Sequence, residues 1–179
     1  MKILSSKYLS EHQYFTARVD SYELASGKVV DPYYVVEMPS SVVVMGITED
    51  ENVVLVKQYR HPVDQILIEL PGGFMDKDEQ PQQTAEREMM EETGYCFENF
   101  YYLGITAANP GVLNNFCHLF LATGGKKTGL QKLDPNEEIE ILTKPLTEVK
   151  LMLHHNEFIQ SLHSLCLFYG FEKLEQLKS

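Results

Sequence analysis

The sequence predicts an α+β protein in which a mixed β-sheet is covered by helices. Short β-branched and aromatic runs recur between residues 42 and 143, as is typical of strands. A segment rich in Gln, Glu, Arg, Met and Ala interrupts them at residues 81–93, and the tail from Leu146 to Leu177 is also typical of helices. Strands followed by a helix, further strands and two more helices indicate one mixed sheet with helices packed against it.

The first forty residues predict short strands separated by turns. Phe15, Ala17 and Val19 alternate with polar neighbours, and Tyr34-Val35-Val36 forms a second apolar run. A sheet of so few strands is not stable by itself. We therefore expect this segment to pack on a neighbouring part of the chain or on a partner chain. We therefore divide the chain into a β-rich arm, residues 1–40, and a main domain, residues 41–179.

The main domain begins with the strongest strand signal. Residues 42–47 and 53–56 flank a polar turn and predict a hairpin, and a further strand at 66–70 is stopped by Pro71-Gly72-Gly73. The helix predicted at 81–93 has Pro81 in its first turn and Gly94 as its C-terminal stop.

Three more strands and two helices are expected after that helix. The strands are predicted at residues 100–105, 116–122 and 138–143. The helical tail is expected to break near His155-Asn156. No repeat or linker separates a second domain from these elements.

Composition excludes several classes of protein. The 179 residues, 44% of them hydrophobic, suffice for one globular core. A net charge of −11 argues against a nucleic-acid binder and against attachment to an anionic membrane. The three widely spaced cysteines, the early polar residues and the lack of a long apolar run predict a cytoplasmic protein without a membrane span.

The negative charge is concentrated in two windows. Residues 73–95 contain seven acids and two bases, and residues 134–140 contain four acids and no base. Within the predicted helix, Glu88, Glu91 and Glu92 fall in an arc of about 100° beside the apolar stripe formed by Ala85 and Met89. Such an arc is either a solvated acidic face or a site for hard divalent cations, and composition alone does not distinguish them.

The frame around these acids resembles the signature of the Nudix hydrolase superfamily. The chain has Gly73, five residues, Glu79, seven residues, and then the run from Arg87 to Tyr95. Eight of the nine constrained positions fit, and Tyr95 stands in place of a bulky aliphatic residue. We call residues 73–95 the Nudix box. An EF-hand reading of residues 76–80 fails, because Pro81 stands where the sharp turn normally needs Gly.

The resemblance implies an α/β/α sandwich that binds Mg²⁺, with Mn²⁺ as a possible substitute. It assigns the metal to the Gly72 carbonyl and to Glu88, Glu91 and Glu92, with Glu91 also catalytic through a second ion. Structural roles in the box fall to four residues: Gly73, Glu79, Arg87 and Gly94.

Residues outside the box resemble those of ADP-ribose pyrophosphatases and related nucleoside-diphosphate-sugar hydrolases. Gln58-Tyr59-Arg60 and Glu69-Leu70-Pro71 stand before the box as in that group, and Pro110 lies sixteen residues beyond Gly94. The resemblance makes four residues candidates for substrate binding: Arg60, Glu69, Pro110 and Gly111. The acidic loop implies a further catalytic carboxylate, which is either Glu137 or Glu138.

The implied reaction is hydrolysis of ADP-ribose to AMP and ribose 5-phosphate. Residues 112–115 lack the Glu that relatives using ADP-ribose often carry, so GDP-mannose or another nucleoside diphosphate sugar is the alternative substrate. A Nudix-fold sensor that binds such a nucleotide without cleaving it is the alternative from another class. The resemblance also implies a homodimer in which the arm strands exchange between protomers and complete the partner's base pocket.

Overall fold

The structure is a computed structural model that describes residues 1–12 and 15–178. It contains two compact units. The first comprises residues 1–40 and 107–116, and the second comprises residues 41–106 and the chain from Cys117 onward.

Ten strands and three helices are assigned in the described residues. The strands are β1 Lys2–His12, β2 Phe15–Glu23, β3 Val29–Glu37, β4 Ser41–Thr48, β5 Asn52–Arg60, β6 Gln65–Glu69, β7 Tyr95–Cys96, β8 Asn99–Thr106, β9 Cys117–Lys127 and β10 Ile139–Pro145. The helices are α1 Pro81–Thr93, α2 Leu146–His154 and α3 Ser161–Lys178, and a single 3₁₀ turn covers His61–Val63.

The first unit is built on an antiparallel sheet in the order β1-β2-β3. The apolar runs predicted in the arm lie in β2 and β3, whereas β1 was not predicted. Almost every side chain of β1 is exposed, and its apolar residues come in pairs rather than at every second position, so its sequence lacks the alternation that marks a half-buried strand. Pairing with β2 along almost its whole length, from Lys2 opposite Glu23 to His12 opposite Phe15, makes it a strand.

The second unit contains a seven-stranded mixed sheet, as the sequence predicts. β5 pairs with β10 along one edge and with β4 and β6 along the other, and all three pairings are antiparallel. β4 runs parallel to β9, which also pairs with β7 and β8. The predicted hairpin of β4 and β5 is confirmed.

Helices cover both faces of this sheet. Successive residues of a strand point to opposite faces, so Val42 and Val44 pack with Ala85 and Met89 of α1, while Val43 contributes to the core beneath α2 and α3. The result is the expected α/β/α sandwich. The described helices include none that is long and apolar enough to span a membrane.

Helix α1 has the predicted ends. Gln80 and Gln83 form a reciprocal capping box, and Pro81 occupies the first turn. Gly94 ends the helix with a φ of 71°, in the left-handed region, and donates its N–H to the Met90 carbonyl. These caps fix the residues at which α1 begins and ends.

The tail also forms the two expected helices, separated by residues 155–160. Strand β9 extends five residues beyond the predicted end, and the two-residue β7 was not predicted.

Candidate metal centre and active site

The acids of α1 lie at the border of its buried face. Ala85 and Met89 are fully buried against the sheet, as the helical wheel predicts. Glu92 is only 6% exposed, and Glu88 and Glu91 are half-buried. The same helical periodicity that buries the apolar stripe therefore holds three carboxylates beside it.

Arg87 organises the box. Its Nε and Nη2 donate to the two oxygens of Glu79, each at 3.0 Å, and Nη2 also donates to the Phe74 carbonyl at 3.0 Å. Its Nη1 donates to Glu88 at 2.8 Å and to Glu91 at 3.0 Å. The hydrogen bond from Arg87 lowers the pKa of Glu79 to about 2, so this pair is ionic at neutral pH and ties the loop before α1 to the helix.

The turn between β6 and α1 packs directly on the carboxylates. The Gly72 N–H donates to Glu92 Oε2 at 2.9 Å. A Cβ at Gly73 would overlap the carboxylate of Glu88, so any larger residue there would displace that acid. The carbonyls of Pro71 and Gly73 accept from Val44 and Val42 of β4. The Gly72 carbonyl oxygen accepts no hydrogen bond from any described residue and remains a free oxygen donor.

Burial makes the ionised form of these acids unfavourable. The pKa of Glu92 is raised to about 8, chiefly by burial and to a smaller extent by the negative charges of Glu88 and Glu137, while the Gly72 hydrogen bond and Arg60 act in the opposite direction. Burial also raises the pKa of Glu88, although Arg87 opposes the shift. The acids of α1 and of the acidic loop therefore lie close enough to disfavour one another's ionised forms.

Of the two acids predicted in that loop, Glu137 is the one whose charge acts on both Glu88 and Glu92. Its carboxylate also accepts from the Asp134 N–H at 3.1 Å, and its own N–H donates to the Asp134 carbonyl at 2.9 Å. This turn holds the Glu137 carboxylate against the backbone of the loop. No such interaction of Glu138 with Glu88 or Glu92 occurs among the described residues.

Arg60 and Glu69, both predicted to bind substrate, form an ion pair with each other. Glu69 is 1% exposed and accepts from Arg60 Nε at 3.1 Å and from Nη2 at 2.6 Å. The Arg60 side chain is 43% exposed, and its Nη1 has no hydrogen-bond partner within residues 1–12 and 15–178. Glu69 thus orients the guanidinium and leaves one edge of it available to an anion.

His163 of α3 binds the backbone at Leu70, just before the turn between β6 and α1, and the sequence did not single it out. Its Nδ1 accepts from the Leu70 N–H at 2.9 Å. Complete burial lowers the pKa of His163 to about 4, so the ring is neutral at pH 7. The partners are 93 residues apart, and no local pattern could have revealed the contact.

Pro110 and Gly111 fall in the first unit. There the Gly111 carbonyl accepts from the Tyr33 hydroxyl at 2.8 Å, and Val112 donates its N–H to the Asn109 carbonyl. The structure thus shows how this loop is held against β3, and its role in substrate binding stays a prediction.

Comparison of the chain with models of protein families gives two matches. Residues 38–162, well over half of the chain, match the model of the NUDIX domain. The chain belongs to the Nudix family. Residues 1–36 match a second model, the nucleoside diphosphate sugar hydrolase N-terminal domain. The sequence resemblance is thereby confirmed, and the protein is a Nudix hydrolase of the nucleoside-diphosphate-sugar group.

Individual Nudix relatives cover most of this chain. A methanol dehydrogenase activator of Bacillus methanolicus is 35% identical over 153 residues, which span 82% of each chain. An ADP-ribose pyrophosphatase of Bacillus subtilis is 29% identical over 163 residues, or 88% of each chain. Among solved structures, an ADP compounds hydrolase superposes with a TM-score of 0.86 at 20% identity, covering 98% of this chain and 95% of that one, which shows a shared fold.

The carboxylates of this Nudix box fit a hard divalent cation by their chemistry. Within the described residues no three acids form a ready-made cage, because Arg87 holds Glu88 and Glu91 while the Gly72 N–H holds Glu92. Nevertheless, the donors offered by the box, namely the carboxylates of Glu88, Glu91 and Glu92 and the Gly72 carbonyl, are all oxygen, the ligand that Mg²⁺ and Mn²⁺ prefer. A cation there would favour the ionised form of Glu92, which burial and, to a smaller extent, the neighbouring acids disfavour.

Proposed function

We propose that this protein hydrolyses the pyrophosphate bond of ADP-ribose, giving AMP and ribose 5-phosphate, with Mg²⁺ as the metal and Mn²⁺ as a substitute. The observation that carries the proposal is that the box acids influence one another: the charges of Glu91 and Glu137 act on Glu88, those of Glu88 and Glu137 act on Glu92, and the Gly72 N–H binds Glu92. Similarity to an ADP-ribose pyrophosphatase over most of the chain supports the choice of nucleotide.

The metal would be held by Gly72, Glu88, Glu91 and Glu92. When bound, it supplies Lewis-acid polarisation of the phosphate oxygens and a water acidic enough to lose its proton near neutral pH. Arg87 is anchored by Glu79 and hydrogen-bonds both Glu88 and Glu91, so it holds these two carboxylates beside one another. The Gly72 N–H holds Glu92 against the turn.

Glu137 is the residue that we assign to proton removal from the attacking water. It lies on an exposed loop, and its charge already acts on the box acids, so it is placed to reach a water near them. Arg60, oriented by Glu69, offers its free Nη1 edge to a phosphate or to the terminal ribose.

GDP-mannose or another nucleoside diphosphate sugar is the alternative substrate. The observation in its favour is that Val112, Leu113, Asn114 and Asn115 follow Pro110-Gly111 without an acid that could bind the distal sugar of ADP-ribose. A sensor that does not hydrolyse its ligand would have no need of the intact set of box carboxylates.

A substrate panel tests the proposal directly. We expect AMP release from ADP-ribose with Mg²⁺ to exceed product release from GDP-mannose, UDP-glucose, dinucleoside polyphosphates and NADH, and to stop when EDTA is added. Faster cleavage of GDP-mannose would establish the alternative. Tight binding of ADP-ribose with no product under any metal condition would instead indicate a sensor.

We also propose that the arm forms the contact of a homodimer. β1 exposes large apolar side chains along its length, namely Ile3, Leu4, Tyr8 and Leu9, and a monomer gains nothing from their exposure. Size-exclusion chromatography with light scattering is expected to give twice the 20.5 kDa chain mass at micromolar concentration. Deletion of residues 1–12 should give the monomer mass, and a monomeric full-length chain would refute the proposal.

A further inference from the structure

The acidic loop that carries Glu137 is exposed and has little packing of its own. Of residues 132–138 all but Leu133 are exposed, and Leu133 is half-buried. The direction of Glu137 is therefore determined mainly by how the two ends of the loop are held.

The first end is fastened to the last turn of α1. Helix C-termini leave carbonyls without intrahelical partners, and two of these accept hydrogen bonds from the chain that leads into the loop. The Lys132 N–H donates to the Glu91 carbonyl at 2.8 Å, and the Thr128 and Gly129 N–H groups donate to the Gly94 carbonyl at 2.9 and 3.1 Å.

One side chain joins this end to the other. Gln131 Nε2 donates to the Glu92 carbonyl at 2.8 Å and to the Ile139 carbonyl at 3.0 Å. Glu92 belongs to the helix of the box, and Ile139 is the buried first residue of β10, immediately after the loop. A single amide therefore connects the metal-binding helix to both ends of the loop.

We propose that Gln131 is a positioning residue that sets the place of Glu137 relative to Glu88 and Glu92. This inference rests on the proposed function, because it assumes that Glu137 removes the proton. Two hydrogens on one planar nitrogen match two carbonyl oxygens on different elements. Its amide hydrogen bonds go to backbone carbonyls and not to a carboxylate, so we expect it to act by holding the ends of the loop in place.

The test is Gln131→Met, which keeps the length of the side chain and its neutrality but removes both donors. We expect kcat to fall about 10- to 100-fold, as for other residues that orient catalytic groups, while KM and the Mg²⁺ concentration for half-activation change less than about threefold. Trypsin should cleave faster after Lys132 in the variant, because the loop is released. Gln82→Met is the matched control, because it removes one amide hydrogen bond on the exposed face of α1. It should change neither kcat, KM and the Mg²⁺ requirement nor the rate of cleavage by trypsin.

A double-mutant cycle with Glu137→Gln separates the possible outcomes. If Gln131 acts through Glu137, Gln131→Met will lower kcat less than about twofold in the Glu137→Gln background. The same fold loss in both backgrounds overturns the inference while leaving the proposed role of Glu137 intact. Full activity of Glu137→Gln alone overturns both. Should Gln131→Met fail to fold, Gln131→Asn, one methylene shorter, takes its place in the cycle.

Discussion

Replacing Glu92 by Gln will abolish most of the activity without weakening the metal-free protein. We expect kcat to fall about 1,000-fold, equivalent to roughly 4 kcal/mol of transition-state stabilisation, because an anionic metal ligand is lost. The amide oxygen of Gln can still accept from the Gly72 N–H, so the turn before α1 keeps its anchor.

Without metal, the stability of wild type relative to Glu92→Gln should fall as the pH rises. The pKa of Glu92 is about 8 in the folded chain, against 4.5 for an ordinary glutamate, because burial disfavours its ionised form. Its contribution to stability is complete below pH 4.5 and is lost as the pH rises through 8. Gln does not titrate, so in EDTA at pH 9 Glu92→Gln should melt at a higher temperature than wild type.

Thermal unfolding in EDTA and in Mg²⁺ measures this effect. Mg²⁺ should raise the melting temperature of wild type more than that of Glu92→Gln, since the cation binds the folded form and offsets the carboxylate repulsion. Glu86→Gln, an exposed position on the same helix, is the control and should behave as wild type. Wild-type activity in both Glu92→Gln and Glu88→Gln would contradict the assignment of these acids to the metal.

Replacing Glu137 by Gln is expected to have the second largest effect. General-base catalysis typically contributes 100- to 10,000-fold, so we expect kcat to fall by about that range while Mg²⁺ still raises the melting temperature. Steady-state kinetics on ADP-ribose, together with thermal unfolding with and without Mg²⁺, will measure both quantities.

Glu138→Gln is the matched control for that experiment. It changes the same chemical group one residue away, and Glu138 shows no charge interaction with Glu88 or Glu92 within the part of the chain that the structure describes. We expect its kcat to stay within about threefold of wild type. A large loss in Glu138→Gln with little loss in Glu137→Gln would reverse the assignment.

Most elements of the main domain could be predicted because their signals are local. The hairpin of β4 and β5 follows from β-branched runs around a polar turn, and α1 follows from its composition, Pro81 and Gly94. β1 could not be predicted, because hydrogen bonds to β2 determine it and its own side chains show no buried face.

By itself the sequence determined the family, the identity of the box residues and the face of α1 on which the acids lie. These depend on spacing within some twenty residues, and helical periodicity converts spacing into position. Tertiary structure alone decided which loop acid acts on the box, that Arg60 is paired with buried Glu69, and that His163 and Gln131 hold the segments on either side of the carboxylates. The contacts of His163 with Leu70 and of Gln131 with Glu92 join residues 93 and 39 positions apart, so they depend on how the sheet and helices pack. Arg60 and Glu69 are only nine residues apart, and they meet because β5 pairs with β6. The clustering of acids in the box is a property of the sequence, whereas the burial that raises the pKa of Glu92 is a property of the packing.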